Sequence, residues 1–218
     1  MTGILIIATG KYHIFVDPLI RSLKKHLAIG PVKYIVFSDR QVTADIHIPI
    51  HHEPWPGPTL HRYRTFLASK PLLEEFTYLY YVDADMRAVD TIGPEILGER
   101  VAVLHPGFVG KVGTPERRRK SRAFIPYNAK NRYYAGGFQG GHASQFLTMC
   151  QTLDEAIRED EENNIIARWH DESHYNAYLY RKPPTVTLDP SYCYPESWSI
   201  PYAKRLLALD KDHQAMRS

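Results

Sequence analysis

The opening of this chain confines it to a narrow group of folds. Ile4 to Ala8 and Val32 to Phe37 are short apolar runs rich in β-branched and aromatic residues, and Phe15 to Leu27 between them carries apolar residues at helical spacing with Lys24 and Lys25 opposite. A buried strand, an amphipathic helix and a second buried strand form a β-α-β unit, which calls for a sheet covered by helices. Thr59 to Phe76 reads as a further helix, Tyr78 to Val82 and Val101 to Leu104 as strands, and Arg132 to Ala135 as a strand ending before a run of glycines. From His142 to Ile157, the residues Phe146, Met149, Cys150, Leu153 and Ile157 keep one face of a helix. Strands alternating with helices predict an open α/β sheet. No repeat, low-complexity tract or linker-like shift marks a second domain, and 218 residues, 44% of them apolar, suffice for one sizeable core. The Pro-rich stretch Glu53 to Pro58 reads as a surface loop.

Charge and cysteine usage narrow the function classes. A net charge of +3 favours small anionic ligands without describing a nucleic-acid protein. Cys150 and Cys193 have no paired metal-type spacing, so free thiols in a reducing compartment are expected, with a single disulfide as the alternative. The N-terminus runs straight into Ile4 to Ile7 without a basic leader region, and no stretch nears the roughly 20 apolar residues that cross a bilayer. A cytoplasmic protein without a transmembrane segment is the expectation.

Asp83-Ala84-Asp85 places two carboxylates one residue apart where the strand Tyr78 to Val82 stops. The carboxyl ends of strands in such a sheet open onto the ligand crevice, where two hard oxygen ligands can hold Mn²⁺ or Mg²⁺ against a diphosphate. The bland alternative is a strand end, and Asp210-Lys211-Asp212 repeats the triplet with no strand before it. The loop Ala8-Thr9-Gly10-Lys11-Tyr12 offers a flexible glycine and a ring on which a base can stack, yet it lacks the spacing of a P-loop or a dinucleotide fingerprint and fits an ordinary turn equally. Tyr133 to Gly141 holds four glycines, read either as tight bends near a strand end or as a pocket wall. Trp169-His170-Asp171-Glu172-Ser173 sets a flat apolar ring beside two carboxylates, which suits a sugar; alternatively Asp171 caps the amphipathic run His174 to Tyr180 and leaves Glu172 and His174 solvated. The basic run Arg117 to Arg122 can grip phosphates, but without interleaved aromatics it reads as a solvated loop.

Taken in chain order, these segments resemble glycosyltransferase family 6, the retaining α-1,3-galactosyl and N-acetylgalactosaminyl transferases that include the mammalian ABO blood-group enzymes and shorter bacterial and phage relatives. The likeness covers nearly the whole chain. It rests on the joint order of Tyr34-Ile-Val-Phe37-Ser-Asp39, Asp83-Ala84-Asp85, His105-Pro106-Gly107-Phe108, Thr114 with Glu116-Arg117-Arg118, Ile125-Pro126, Tyr133-Tyr134-Ala135-Gly136-Gly137, Trp169 to Ser173, and the tail Lys211 to Arg217. The resemblance implies a GT-A fold: one α/β domain with an open mixed central sheet flanked by helices. Within it a donor half would span about 1–90, an acceptor and catalytic half about 91–205, and a tail about 206–218 that is mobile until donor binds.

The same resemblance assigns residues. Ile7, Ala8, Thr9 and Tyr12 would hold the uracil and ribose end of a UDP-sugar donor, and Asp83 and Asp85, flanking Ala84, would bind Mn²⁺, with Mg²⁺ as an alternative. Arg62, Gly136 and Asp171 would also serve the donor, and Lys211 and Arg217 would close over its diphosphate. Ala135 and Gly137 match the positions that choose between galactose and N-acetylgalactosamine, and both being small favours N-acetylgalactosamine. His105, Thr114, Trp169, Asp171 and Glu172 would contact a galactose-terminated glycan acceptor, with fucosyl-α-1,2-galactose as one form of it. Glu172 would be the catalytic carboxylate, acting as nucleophile or as stabiliser of an oxocarbenium ion. Pro195 stands where mammalian members place an acceptor-binding aspartate, which leaves Glu196 as the substitute. Unlike bacterial relatives that carry asparagines and work without metal, this chain keeps both aspartates. The rival functions are a sugar-binding protein of the same fold without turnover, and a metal-dependent phosphotransferase or nuclease using the aspartates and the basic run.

Overall fold

The computed structural model describes residues 1–127 and 132–217, with the side chain of Arg217 outside the described set. Strand β1 (Thr2–Ile7) runs through the centre of the molecule. Its residues alternate between two cores: Ile4 and Ile6 face one, Leu5 and Ile7 the other, and all four are buried. That double burial is the condition under which a strand reads as a continuous apolar run. Helix α1 (Val16–His26) covers the first face with Val16, Leu19, Ile20 and Leu23, after a 3-10 turn over Gly10–Phe15. It leads into β2 (Val32–Ser38), parallel to β1, and β3 (Ile46–Pro49), parallel to β2. The opening is therefore the expected β-α-β unit.

The single helix expected from Thr59 to Phe76 is three short ones, α2 (Gly57–Leu60), α3 (Arg62–Leu67) and α4 (Lys70–Leu73). Pro58 and Pro71 sit in the first turns of α2 and α4, where a missing N–H costs nothing, and each prevents the preceding turn from running on. Strand β4 (Tyr78–Val82) follows, parallel to β1 on its other edge, then β5 (Met86–Ala88) and β6 (Val101–Leu104). The strand expected to stop before the glycines instead continues through them as β7 (Tyr134–His142), antiparallel to both β4 and β6. Helix α5 (Ala143–Glu162) and helix α6 (His170–Arg181) pack Phe146, Cys150, Leu153, Tyr175 and Tyr178 into the second core.

The remaining strands are β8 (Val186–Leu188), β9 (Tyr194–Pro195) and β10 (Leu206–Ala208), each too short for periodicity to reveal, and a last helix α7 covers His213–Arg217. The main sheet has the order β3-β2-β1-β4-β7-β6-β8, and β5-β10-β9 form a second small sheet. This is the mixed α/β architecture the resemblance implied. Helix α6 departs from expectation in being buried on almost every side from Asp171 to Leu179, so it has no solvated face. Cys150 and Cys193 are buried and unbonded to each other. Among the described residues no helix is long and apolar enough to cross a membrane.

Candidate active site

A cleft of about 420 Å³ opens at the carboxyl ends of β1 and β4, within the range of small-molecule sites. Its floor depends on an irregularity in β7. Across from β6, Ala102 pairs with Gln139 while the next residue, Val103, pairs with Ala135, so Gly136, Gly137 and Phe138 bulge away from β6. They follow β4 instead, where Phe138 pairs with Val82 and the Asp83 amide donates to the Gly137 carbonyl at 2.9 Å. Bulges of this kind re-aim backbone beside active sites. Here the glycines admit carboxylates: a Cβ on Gly137 would lie 2.9 Å from Asp83 Oδ2, and one on Gly136 3.5 Å from Glu172 Oε2.

The buried Arg62 ties these acids together. Its Nε lies 3.0 Å from Asp171 Oδ2 and its Nη1 3.7 Å from Asp83 Oδ1, while Nη1 donates to the Gly136 carbonyl and the guanidinium stacks on Tyr81 at 4.3 Å. The Nε–H is aimed at the Thr59 carbonyl, so Asp171 Oδ2, fully buried, receives charge but no hydrogen bond. The Tyr81 hydroxyl donates to Asp83, and the Lys211 ammonium pairs with Asp85. Glu172 is held through Oε2 by the Gly136 amide at 2.9 Å. Both Asp171 and Glu172 stand in the first turn of α6, where the helix dipole favours negative charge. Asp171 thus pairs with Arg62 rather than capping the helix.

Burial works against that charge. It pushes Asp171 up to about 6, against the pull of Arg62 and with the help of Asp83, and Glu172 up to about 7, against the Gly136 hydrogen bond and with the help of Asp171. Asp85 is raised by burial and by Asp83, with Lys211 opposing. Three carboxylates held reluctantly ionised around one cleft mark a functional site.

Ile7, Thr9, Tyr12, Arg62, Asp83, Ala84, Asp85, Gly136 and Gly137 all line the cleft, as do Trp169, Asp171, Glu172 and Lys211. Ala8 and Ala135 do not: both are buried, Ala8 just after β1 and Ala135 within β7. His105 and Thr114 form a flank beside it. Trp169 Nε1 donates to Thr114 Oγ1 at 2.8 Å, and His105 Nδ1 accepts from the Gly107 amide at 3.1 Å while its ring meets Tyr133 edge-on. Burial lowers His105 to about 4, so it is neutral with its proton on Nε2. Glu196 is not among the lining residues; it pairs with Arg87 at 3.0 Å and accepts from the Asp210 amide. The side chain of Arg217 lies outside the described residues.

Sequence reasoning passed over Glu53, Trp55 and Pro58, which line the cleft from the stretch read as a surface loop, and their neighbours His52 and Thr59 on either side of it. Tyr81, one pleat before the acids, and His213 and Met216, beside Lys211, were also passed over, although their neighbours carried the signal. The basic run lies at the surface, as read, with three of its cations held within the chain: Arg117 donates to the Ile125 and Pro126 carbonyls, Arg118 pairs with buried Glu116, and Arg122 pairs with Glu159.

Among the described residues no group of three or more His, Cys, Asp or Glu is arranged to hold a metal, and Asp83 and Asp85 are the pair of carboxylates at the end of β4. The two fit a divalent cation. They are two hard carboxylates lining one cleft, and an ammonium already pairs with Asp85, so the position accepts positive charge.

The sequence pattern described as Glycosyltransferase family 6 matches residues 1–218. The chain is 34% identical to the Histo-blood group ABO system transferase 1 of Rattus norvegicus, across 99% of this chain and 68% of that protein. It is 30% identical to the Globoside alpha-1,3-N-acetylgalactosaminyltransferase 1 of Homo sapiens over the same shares. With the O-antigen biosynthesis glycosyltransferase WbnI of Escherichia coli the identity is 28%, over 98% of this chain and 96% of the other.

Proposed function

The chain belongs to glycosyltransferase family 6, and from that premise we propose that it is a retaining transferase moving N-acetylgalactosamine from a UDP-sugar to the 3-hydroxyl of a galactose in a glycan acceptor. The observation that carries the reading is the constellation around Arg62, in which Asp83, Asp171 and the Gly136 carbonyl meet one buried guanidinium while Glu172 hangs from the neighbouring amide. Ile7, Thr9 and Tyr12 take the nucleoside, and Lys211 faces the diphosphate. Asp171, lining the cleft beside Arg62, faces the donor sugar with Arg62. Asp83 and Asp85 would hold Mn²⁺ or Mg²⁺ together with the diphosphate, and the ion would neutralise charge on departing UDP.

Glu172 presents a fixed carboxylate to the sugar face. As a nucleophile it would form a bond to the anomeric carbon while the bond to UDP breaks, and the acceptor oxygen would then displace it. As a stabiliser it would face an oxocarbenium ion while leaving group and acceptor exchange on one side. Either route converts donor and acceptor into glycoside, UDP and a proton. N-acetylgalactosamine is favoured because Ala135 and Gly137, the positions matched to donor choice, are both small, and because the human relative is named for that transfer. His105, with its Nε2–H, Thr114 and Trp169 form the acceptor side.

UDP release is measured from UDP-N-acetylgalactosamine and UDP-galactose, with Mn²⁺ or EDTA, with and without 2'-fucosyllactose, for the parent and Glu172→Gln. Release that needs metal, is faster with the N-acetylgalactosamine donor, rises with acceptor and falls at least about a hundredfold in the variant is expected. UDP binding without release from either donor would leave a sugar-binding protein.

A further inference from the structure

His61, between α2 and α3, has both ring nitrogens against carboxylates: Nδ1 is 2.6 Å from Glu53 Oε2 and Nε2 is 2.7 Å from Glu161 Oε1. A neutral imidazole has one N–H, and a carboxylate only accepts, so two short contacts of this kind require both nitrogens to be protonated. Burial alone would lower the pKa of His61, but the hydrogen bonds and charges of Glu161 and Glu53 raise it above its ordinary 6.5. Arg64 of α3 faces the same group, binding Glu161 at 3.3 Å and Asp154 at 3.1 Å, so Glu53, His61, Glu161, Arg64 and Asp154 alternate in sign.

The members of this series differ in how they are supported. Glu161 and Asp154 ride on α5, and Arg64 on α3, whereas Glu53 lies in irregular chain ahead of α2. Its side chain folds back over Gly57, where a Cβ would lie 2.6 Å from Glu53 Cβ, so the loop is shaped around this carboxylate. Glu53, Trp55, Pro58 and Thr59 line the cleft, and the Trp55 ring meets the His170 ring edge-on at 5.2 Å, next to Asp171 and Glu172.

We propose that the doubly protonated His61 is a clasp that positions the Glu53 to Thr59 wall of the cleft against α5, and that nucleotide-sugar affinity depends on its second proton. The use of the clasp rests on the donor-site reading above. His61 is a positioning residue and touches no reacting atom. Because its folded-state pKa is raised, the clasp is complete below about 6.5 and is lost as pH rises through the raised value.

Two measurements from pH 6 to 9 test this. Acrylamide quenching is followed in a chain carrying Trp169→Phe and Trp198→Phe, so that Trp55 is the remaining tryptophan, and UDP binding is followed by calorimetry in the parent. Both are repeated with His61→Arg, which keeps a cation at every pH, and with His61→Gln, which never has one. With histidine, quenching increases and UDP affinity falls about fivefold as pH rises; with arginine both change less. The glutamine variant at pH 6 matches the parent at pH 9. Superimposable profiles for histidine and arginine overturn the proposal. Quenching that titrates with histidine alone, together with no UDP binding at any pH, sustains the clasp and overturns the donor-site reading.

Discussion

Glu172 keeps its carboxylate where burial opposes its charge, and the consequence can be read without substrate. Its pKa rises from 4.5 to about 7, which corresponds to roughly 3 kcal/mol of disfavoured ionisation. The folded protein holds this proton more tightly than the unfolded chain, so the contribution of Glu172 to stability declines as pH rises from about 4.5 to about 7 and stays low above that. Glu172→Gln removes the titration while leaving an oxygen to accept from the Gly136 amide. Its melting temperature is expected to stand about 6 to 12 °C above the parent at pH 8 and to converge with it near pH 4.5, as scanning calorimetry at the two pH values would record. A gap that does not change with pH would mean that the carboxylate is solvated. If the same substitution also lowers turnover, Glu172 is kept for chemistry and not for the fold.

Strand β7 does two separate jobs with one composition, and substitutions within it divide accordingly. Gly137 faces the tip of a flexible side chain, so Gly137→Ala displaces the Asp83 carboxylate by a few tenths of an ångström and leaves the strand intact. Gly140 faces backbone: a Cβ there would lie 2.8 Å from Tyr80 Cα and closer still to the Leu79 carbonyl, with β4 hydrogen-bonded alongside. Gly140→Ala is expected to cost about 3 kcal/mol in urea unfolding, and Gly137→Ala less than about 1 kcal/mol while weakening Mn²⁺-dependent UDP binding about tenfold. The reverse ranking would show that the bulge is not what seats Asp83. The sequence reading located this region but divided it wrongly, because glycines weaken a strand pattern and only the partner strands show that pairing continues through them. The β-α-β opening, β4, β6 and α5 were legible because each is an unbroken apolar run or an apolar face at helical spacing, buried against neighbours. Glu53 and Trp55 were not, since a Pro-rich stretch has no periodicity and its place beside the cleft depends on contacts with α5 and α6. Asp171 and Glu172 were visible as an acidic pair beside Trp169, whereas the choice between capping and chemistry required the position of Arg62, 109 residues earlier. Glu196 followed only from Pro195 standing where relatives place an aspartate, and its pairing with Arg87 was invisible in the sequence because the two are 109 residues apart.

At the scale of the whole molecule, the last residues return to the first. Strand β10 pairs with β5 and β9, and the chain after it crosses the cleft so that Lys211 reaches Asp85, Met216 joins the lining, and the Ala215 carbonyl accepts from Lys11 Nζ at 2.8 Å beside the turn that follows β1. Beyond β10 the described residues contribute no strand and no member of the two main cores, and α7 is only five residues long. A helix that short has little stability of its own and owes its shape to what it lies on. The tail therefore contributes charge to the cleft more than it contributes to the fold. A chain ending at Leu209 is expected to unfold in one cooperative step, with a melting temperature within about 3 °C of the parent, and to bind UDP at least about tenfold more weakly. Lys211→Met in the full chain separates the two parts of that loss, because it removes the cation and keeps the helix and Met216. A weakening close to that of the truncation would assign the effect to the ammonium facing Asp85, and parent-like binding would assign it to the cover that α7 lays over the cleft. Truncation that leaves UDP affinity unchanged would mean that the tail merely rests there, and that Asp85 carries its charge toward the diphosphate without help from the C-terminus.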